Sequence, residues 1–360
     1  MCQKSENQIK WIRYFDTIFK QIKMKKIVLT LSCVILIISS CKERTTNIFC
    51  DKFEEITDKN NPVELMPQVI ISEDSLLVPD DVTVIEDKIL ITSLDNKEAV
   101  FHLYNLEGEM IAAFGNIGKA ETEFTYGTMV TNQIDRSSVY VNDVNTCALK
   151  VLNLDSVIQS KHCVITKTIR TAPRTLNAFC VNDTLLMYEQ ETFDNYRLCS
   201  KNIAKSINYP SIDLYQSNSK PSNVYQSKMA FNEDKGIIVA AMRNSNQVNF
   251  YGIKSGDRHA IKISRDKIPL QKEFGNGHEF YCDITSNSRY VFALYMNQSS
   301  DDAYEKKKNM EIYVFDWDGN YIKSLETKEY INKISVDKEN KWLYALDLDG
   351  NIYRYSLKDM

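Results

Sequence analysis

Chemistry that makes or breaks bonds needs a nucleophile, a base and an orienting group within reach of one another. Side chains of that kind are sparse in this chain. Four histidines occur in 360 residues, His102, His162, His259 and His278, and none has a partner at metal-ligand spacing. His278 is followed directly by Glu279, but consecutive residues on a strand point to opposite faces, so the pair is a weak acid-base candidate. Gly275-Asn276-Gly277 lacks the Lys-Ser or Lys-Thr that a phosphate cradle requires. On these grounds no catalytic group, metal site or cofactor is predicted. The chain offers recognition chemistry instead: Phe124 and Tyr126, Arg174, Tyr225, and His278 with Glu279 and Tyr281. Aromatic faces beside a cation suit a glycan or peptide, held by stacking and charge-assisted hydrogen bonds, and these seven residues form the expected ligand-binding set.

What must position them is a repeated unit. Lys341 to Leu357, KWLYALDLDGNIYRYSL, alternates apolar and aromatic residues on either side of Asp349-Gly350-Asn351, the pattern of two strands and a tight turn. Similar pairs recur along the chain. The apolar starts of their second strands, Ile89, Val139, Leu185, Ile237, Val291 and Leu343, are separated by 50, 46, 52, 54 and 52 residues. A period of this length predicts an all-β, six-bladed β-propeller of four-stranded antiparallel blades, in which each sheet is covered only by its neighbours. The sixth unit ends one strand short, while the apolar run Gln68 to Ile71 precedes the first inner strand without a partner in sequence. Placing that run as the outer strand of the last blade closes the ring and removes an open edge. No long helix is predicted; Leu152 to Ile158 is a short candidate at a blade connection. In this architecture the seven recognition residues fall near the inner strands, where loops gather at one mouth of the central channel.

Composition narrows the setting. A net charge of -4 argues against a nucleic-acid binder. From Met24 the sequence MKKIVLTLSCVILIISSC has a basic start, an apolar core from Ile27 to Ile38 and small residues before Cys41, the parts of a secretory signal, and the core is too short to span a bilayer. Residues 1–23 then read as a gene-model extension, 24–40 as the signal peptide, 41–61 as a polar tether and 62–360 as the propeller domain. The order Ile38-Ser39-Ser40-Cys41 resembles the lipobox of bacterial lipoproteins, which implies lipid on Cys41. The residue after it, Lys42, lacks the aspartate that the inner-membrane retention rule favours, so the resemblance implies an outer-membrane lipoprotein. Six further cysteines, Cys50, Cys147, Cys163, Cys180, Cys199 and Cys282, show no CxxC spacing and read as buried small residues.

The stretch Val100 to Phe124, VFHLYNLEGEMIAAFGNIGKAETEF, runs strand, Gly turn, strand, Phe114-Gly115 and a Gly-containing loop ending in Glu123-Phe124. In this it resembles the six-bladed propellers of the TolB-like and NHL-like group, and the likeness covers about residues 67 to 357. The group includes lactone hydrolases, lyases and pure binding proteins, so the resemblance implies fold rather than chemistry. Its calcium-dependent members hold metal with Glu, Asn and Asp from inner strands, for which Glu86, Asn132, Asn182, Asn232 and Asp283 are the candidates. The expected function is a lipid-anchored cell-envelope protein that binds a glycan, peptide or partner protein at the channel mouth. The alternative is a metal-dependent lactonase-like hydrolase or lyase.

Overall fold

The computed structural model describes residues 49, 53–57, 61–73, 78–93, 99–126, 128–131, 138–192, 196–215, 226–263, 278–299, 302, 305, 309–358 and 360. The predicted extension, signal peptide and Cys41 lie outside the described residues, as do Asn132 and Tyr225. Three strands come first in the chain: β1 (Phe53–Ile56), β2 (Val63–Glu64) and β3 (Pro67–Ile71). Blade one is β4 (Asp81–Ile85), β5 (Lys88–Thr92), β6 (Phe101–Asn105) and β7 (Met110–Phe114). Blade two is β8 (Thr128–Val130), β9 (Ser138–Asp143), β10 (Ala148–Asn153) and β11 (Ile165–Arg170), the last reached through the helix α1 (Leu154–Ser160). Blade three is β12 (Thr175–Asn182), β13 (Leu185–Glu191), β14 (Tyr196–Asn202) and a split outer strand, β15 (Ile207–Asn208) with β16 (Ile212–Asp213), both paired to β14. Blade four is β17 (Ser227–Asn232), β18 (Ile237–Met242), β19 (Val248–Gly252) and β20 (Arg258–Ile263). Blade five is β21 (His278–Ser286), β22 (Tyr290–Ser299), β23 (Met310–Asp316) and β24 (Tyr321–Thr327). Blade six has β25 (Ile331–Val336), β26 (Trp342–Asp347) and β27 (Ile352–Ser356).

The predicted closure is present. β3 completes blade six by pairing antiparallel with β27, with Ile71 opposite Ile352, Val69 opposite Tyr353 and Pro67 opposite Tyr355. The middle strands are buried on both faces rather than alternately, as in Phe101 to Tyr104, because each sheet lies between two others. Among the described residues the apolar core resolves into six clusters, one for each interface between adjacent blades. The turns follow from local chemistry. Asp316 accepts the N–H groups of Asp318 and Asn320 at 2.9 and 2.8 Å, and Asp347 repeats this with Asp349 and Asn351 one blade later. Gly108 turns β6 into β7 at φ +84°, and a Cβ there would stand 2.3 Å from the carbonyl oxygen of Ile70 in β3. Glycine is therefore required where blade one meets the closing strand.

Two features refine the sequence reading. The short helix candidate forms as α1, but inside blade two and not between blades: the Asn153 side chain accepts the Ser156 N–H at 2.8 Å, and Lys161 ends it in the left-handed conformation. More consequential, part of the expected tether belongs to the fold. β1 adds in parallel to the outer edge of β20 in blade four, and β2 does the same to β24 in blade five, before β3 enters blade six. The outer strands of blades four and five each leave unpaired N–H and C=O groups, and the passing chain satisfies them while Ile56 packs on the cluster between those blades. Just before this strap, Phe49 is buried beside Tyr215 at the blade three–four interface. Cys147, Cys163, Cys180, Cys199 and Cys282 are free thiols.

Candidate functional site: the charged channel

The inner strands β4, β8, β12, β17, β21 and β25 surround a cavity on the ring axis. It encloses about 620 Å³ including its open end, of which about 70 Å³ admits the centre of a water molecule. That is room for about five waters. The wall is unusual for a packing surface because it carries charge. Asp81 from blade one, Lys228 from blade four and Asp283 from blade five line it, and Lys333 of blade six acts electrostatically on all three.

These charges are held in a framework of blade-to-blade hydrogen bonds. Asp283 accepts the Ile334 N–H at 2.8 Å and Thr285 the Val336 N–H at 3.2 Å, linking blade five to six. Ser335 accepts the Val84 N–H at 2.8 Å, linking six to one. The Asn142 amide donates to the carbonyls of Thr175 and Leu176 at 3.1 and 3.3 Å, linking two to three. The electrostatic consequences are unequal. The charge of Lys333, with burial, holds Lys228 below the ordinary lysine range, while burial of Lys333 is outweighed by Asp81 and Asp283, which raise it. Burial pushes Asp283 up to about 6 against the pull of Lys333. Among the described residues the Lys228 ammonium donates to the Met129 sulfur at 4.0 Å.

Two further groups extend the site. At the mouth, Arg243, from the loop joining β18 to β19, forms an ion pair with Glu279 of β21. On the wall of β12, the Asn177 amide donates to Glu189 Oε2 at 2.6 Å. Glu189 is fully buried, its Oε1 has no hydrogen-bond partner among the described residues, and burial pushes it up to about 8.

The residues singled out from sequence divide sharply. His278 and Glu279 lie at the mouth, with His278 Nε2 2.9 Å from Asn297 Oδ1 and Glu279 bound to Arg243. Tyr126 is 59% exposed and Arg174 is exposed, in the left-handed backbone region at φ 59°. Phe124 and Tyr281 are corrections: both are buried and offer no face to a ligand. Phe124 stands edge-on to Phe101 with centroids 4.9 Å apart, beneath the Lys150 ammonium at 4.8 Å. Lys150 also binds Asp143 at 3.0 Å, and that carboxylate accepts the Thr125 hydroxyl, so the loop before blade two is clamped by a buried ion pair. Tyr281 packs on Tyr295 and donates to Asn246 Oδ1 at 3.3 Å. Of the described candidate metal ligands, Glu86, Asn182, Asn232 and Asp283, only Asp283 faces the channel. Glu86 lies in the turn after β4, and Asn182 and Asn232 spend their side-chain oxygens capping the turns that leave β12 and β17. Among the described residues no group of three or more His, Cys, Asp or Glu could hold a metal ion.

Arg243, Lys228, Lys333 and Asn177 were not predicted. The signal that could have found Lys228, Lys333 and Asn177 is a charged or amide residue inside an inner strand, as in SKMAF and NKISV, whereas Arg243 lies in a loop and carries no such signal.

The model of the TolB-like six-blade propellers matches residues 60–340. The chain belongs to that family. A solved member of the DUF4221 family from Bacteroides vulgatus is similar at 12% identity and a TM-score of 0.56, covering 83% of this chain and 99% of that one. A predicted exported protein from Bacteroides fragilis is similar at 13% identity and a TM-score of 0.52, covering 84% and 98%. At such identities the likeness is one of fold. No curated protein matches the sequence. No helix among the described residues is long and apolar enough to cross a membrane.

Proposed function

We propose that this TolB-like propeller is an outer-membrane lipoprotein, anchored through Cys41, that binds a glycan, peptide or envelope protein at the mouth of its channel without catalysis. The observation that carries the reading is the charge on the inner strands. A ring that needed only packing would not gather Lys228, Lys333, Asp81 and Asp283 on its inner strands, because taking charges out of water costs stability and a charged cluster with displaced titration in a cleft marks a functional-site candidate. The cavity admits a polar tip rather than a whole sugar ring, so the body of the ligand rests on the mouth. There Tyr126 offers an exposed aromatic face and Arg243 with Glu279 a salt bridge that a ligand can re-pair. Export is supported by the signal pattern before Cys41 and by the predicted export of the Bacteroides fragilis neighbour.

The test is a glycan array and a peptide array probed with the wild-type protein and with a Lys228→Met, Arg243→Ala variant. The reading expects a restricted set of hits that the variant loses while its melting temperature stays close to wild type. Hits that survive the double substitution would place recognition elsewhere.

A further inference from the structure

The rim of blade three carries an apolar surface that the ring does not use. From Ala204 to Asp213 every residue is exposed, and within that stretch Ile207 is 53%, Tyr209 46% and Ile212 43% exposed. The backbone there is lightly held: β15 and β16 contribute two residues each, whereas the outer strands of blades four and five are covered by β1 and β2. Lys205 is exposed between β14 and β15, and Arg197 beneath β16 is paired with Asp213 at 2.8 Å. Two apolar side chains and a tyrosine beside a lysine form the side-chain mixture that settles at a bilayer surface, with the aromatic ring at headgroup level.

The start of the strap gives this patch its occupant. Phe49 packs on Tyr215 with ring centroids 6.0 Å apart, and Arg258 binds the carbonyls of Phe49, Asp213 and Leu214, the segment that continues directly from Ile212. Cys41 is eight residues before Phe49, so a fully extended chain spans at most about 28 Å between them. A domain of this size is about 50 Å across. A lipid on Cys41 therefore keeps the membrane near the rim of blades three and four. The opposite rim, where blade one exposes Met110, is out of reach.

We propose that the blade three rim, Ile207, Tyr209 and Ile212 with Lys205, rests on the lipid bilayer that holds the Cys41 lipid. This rests on the anchoring read above. It fixes the orientation of the molecule: the plane of the ring stands edge-on to the membrane, and the channel mouth opens sideways.

Hydrogen exchange read by mass spectrometry tests the contact. Full-length lipidated protein is reconstituted into phosphatidylethanolamine–phosphatidylglycerol vesicles and compared with the Cys41→Ser protein in buffer. Amides of residues 204–213 are expected to exchange about tenfold more slowly on vesicles, with those around Met110 and Ile322 unchanged. An Ile207→Asp, Tyr209→Asp, Ile212→Asp variant, checked for its native melting temperature, is expected to stay anchored and lose the protection. Protection of another rim, or none, overturns the docking while leaving the anchor intact. Intact mass separates the two readings: without an acyl adduct on Cys41 the anchoring fails, and the docking fails with it.

Discussion

Replacing Glu189 by Gln should change not only how stable the protein is but how that stability depends on pH. Glu189 is fully buried on β13, with one oxygen bound to Asn177 at 2.6 Å and the other without a partner among the described residues. Its carboxyl is displaced from 4.5 to about 8, which corresponds to about 5 kcal/mol of preference for the neutral form in the folded chain. The folded pKa is raised for an acid, so between those two values the native state keeps a proton that the unfolded chain has released. Stability is then fully present below the unfolded value and falls as pH rises through the window. From about pH 5 to about pH 8 the loss from this one group is about 3–4 kcal/mol. A glutamine keeps an acceptor for Asn177 but cannot titrate; its unpaired amide hydrogens cost a constant amount that is independent of pH. Urea unfolding at both pH values, followed through the buried Trp317, should show the variant gaining about 3 kcal/mol on the wild type as pH rises. Parallel curves for the two proteins would refute the argument, because they would mean that Glu189 is ionised in the folded state.

Four further outcomes follow from single contacts. Gly108→Ala should cost at least about 3 kcal/mol, since a Cβ meets the Ile70 carbonyl, whereas Gly256→Ala, at a similar φ in open space, should cost about 1–2 kcal/mol; thermal melts of the two variants compare them. Lys150→Ala strands the buried Asp143 carboxylate and should cost about 3–5 kcal/mol, with part recovered when Asp143 is also made Ala, a double-mutant cycle read by urea unfolding. Ile71→Ala opens a cavity at the seam between blades six and one and should cost about 2–4 kcal/mol in the same assay. Arg243→Ala, by contrast, removes a half-exposed partner and should move stability by less than about 1 kcal/mol, so that any binding it abolishes is lost at the mouth.

The ring was legible because it is written in spacing. A strand pair every fifty residues or so survives any uncertainty about single positions, and the orphan apolar run Gln68 to Ile71 has only one vacant place in a six-unit circle. The strap was not legible, since Phe53-Glu54-Glu55-Ile56 has the composition of a linker and becomes a strand only because blade four presents a bare edge. The site was half legible for a related reason. The position of a residue near an inner strand is local information, but which face it shows depends on the neighbouring blade. Tyr126 and Tyr281 look alike in sequence, yet one is on the surface and the other is under Tyr295 and Tyr313. Arg243 reaches Glu279 from a different blade, 36 positions earlier, and no short motif records such a meeting.

The pairing of Ile71 with Ile352 also sets the order in which the protein can be finished. A ribosome makes β3 near the beginning and β27 last, so β3 must wait, unmatched by its partner, until the chain has grown 281 positions from Ile71 to Ile352. Joining ends that far apart costs about 5 kcal/mol of chain entropy, so the last blade forms only once the final residues are delivered. Until then the nascent protein shows a bare β-edge at each extremity, a state that is open to self-association and to capture by chaperones.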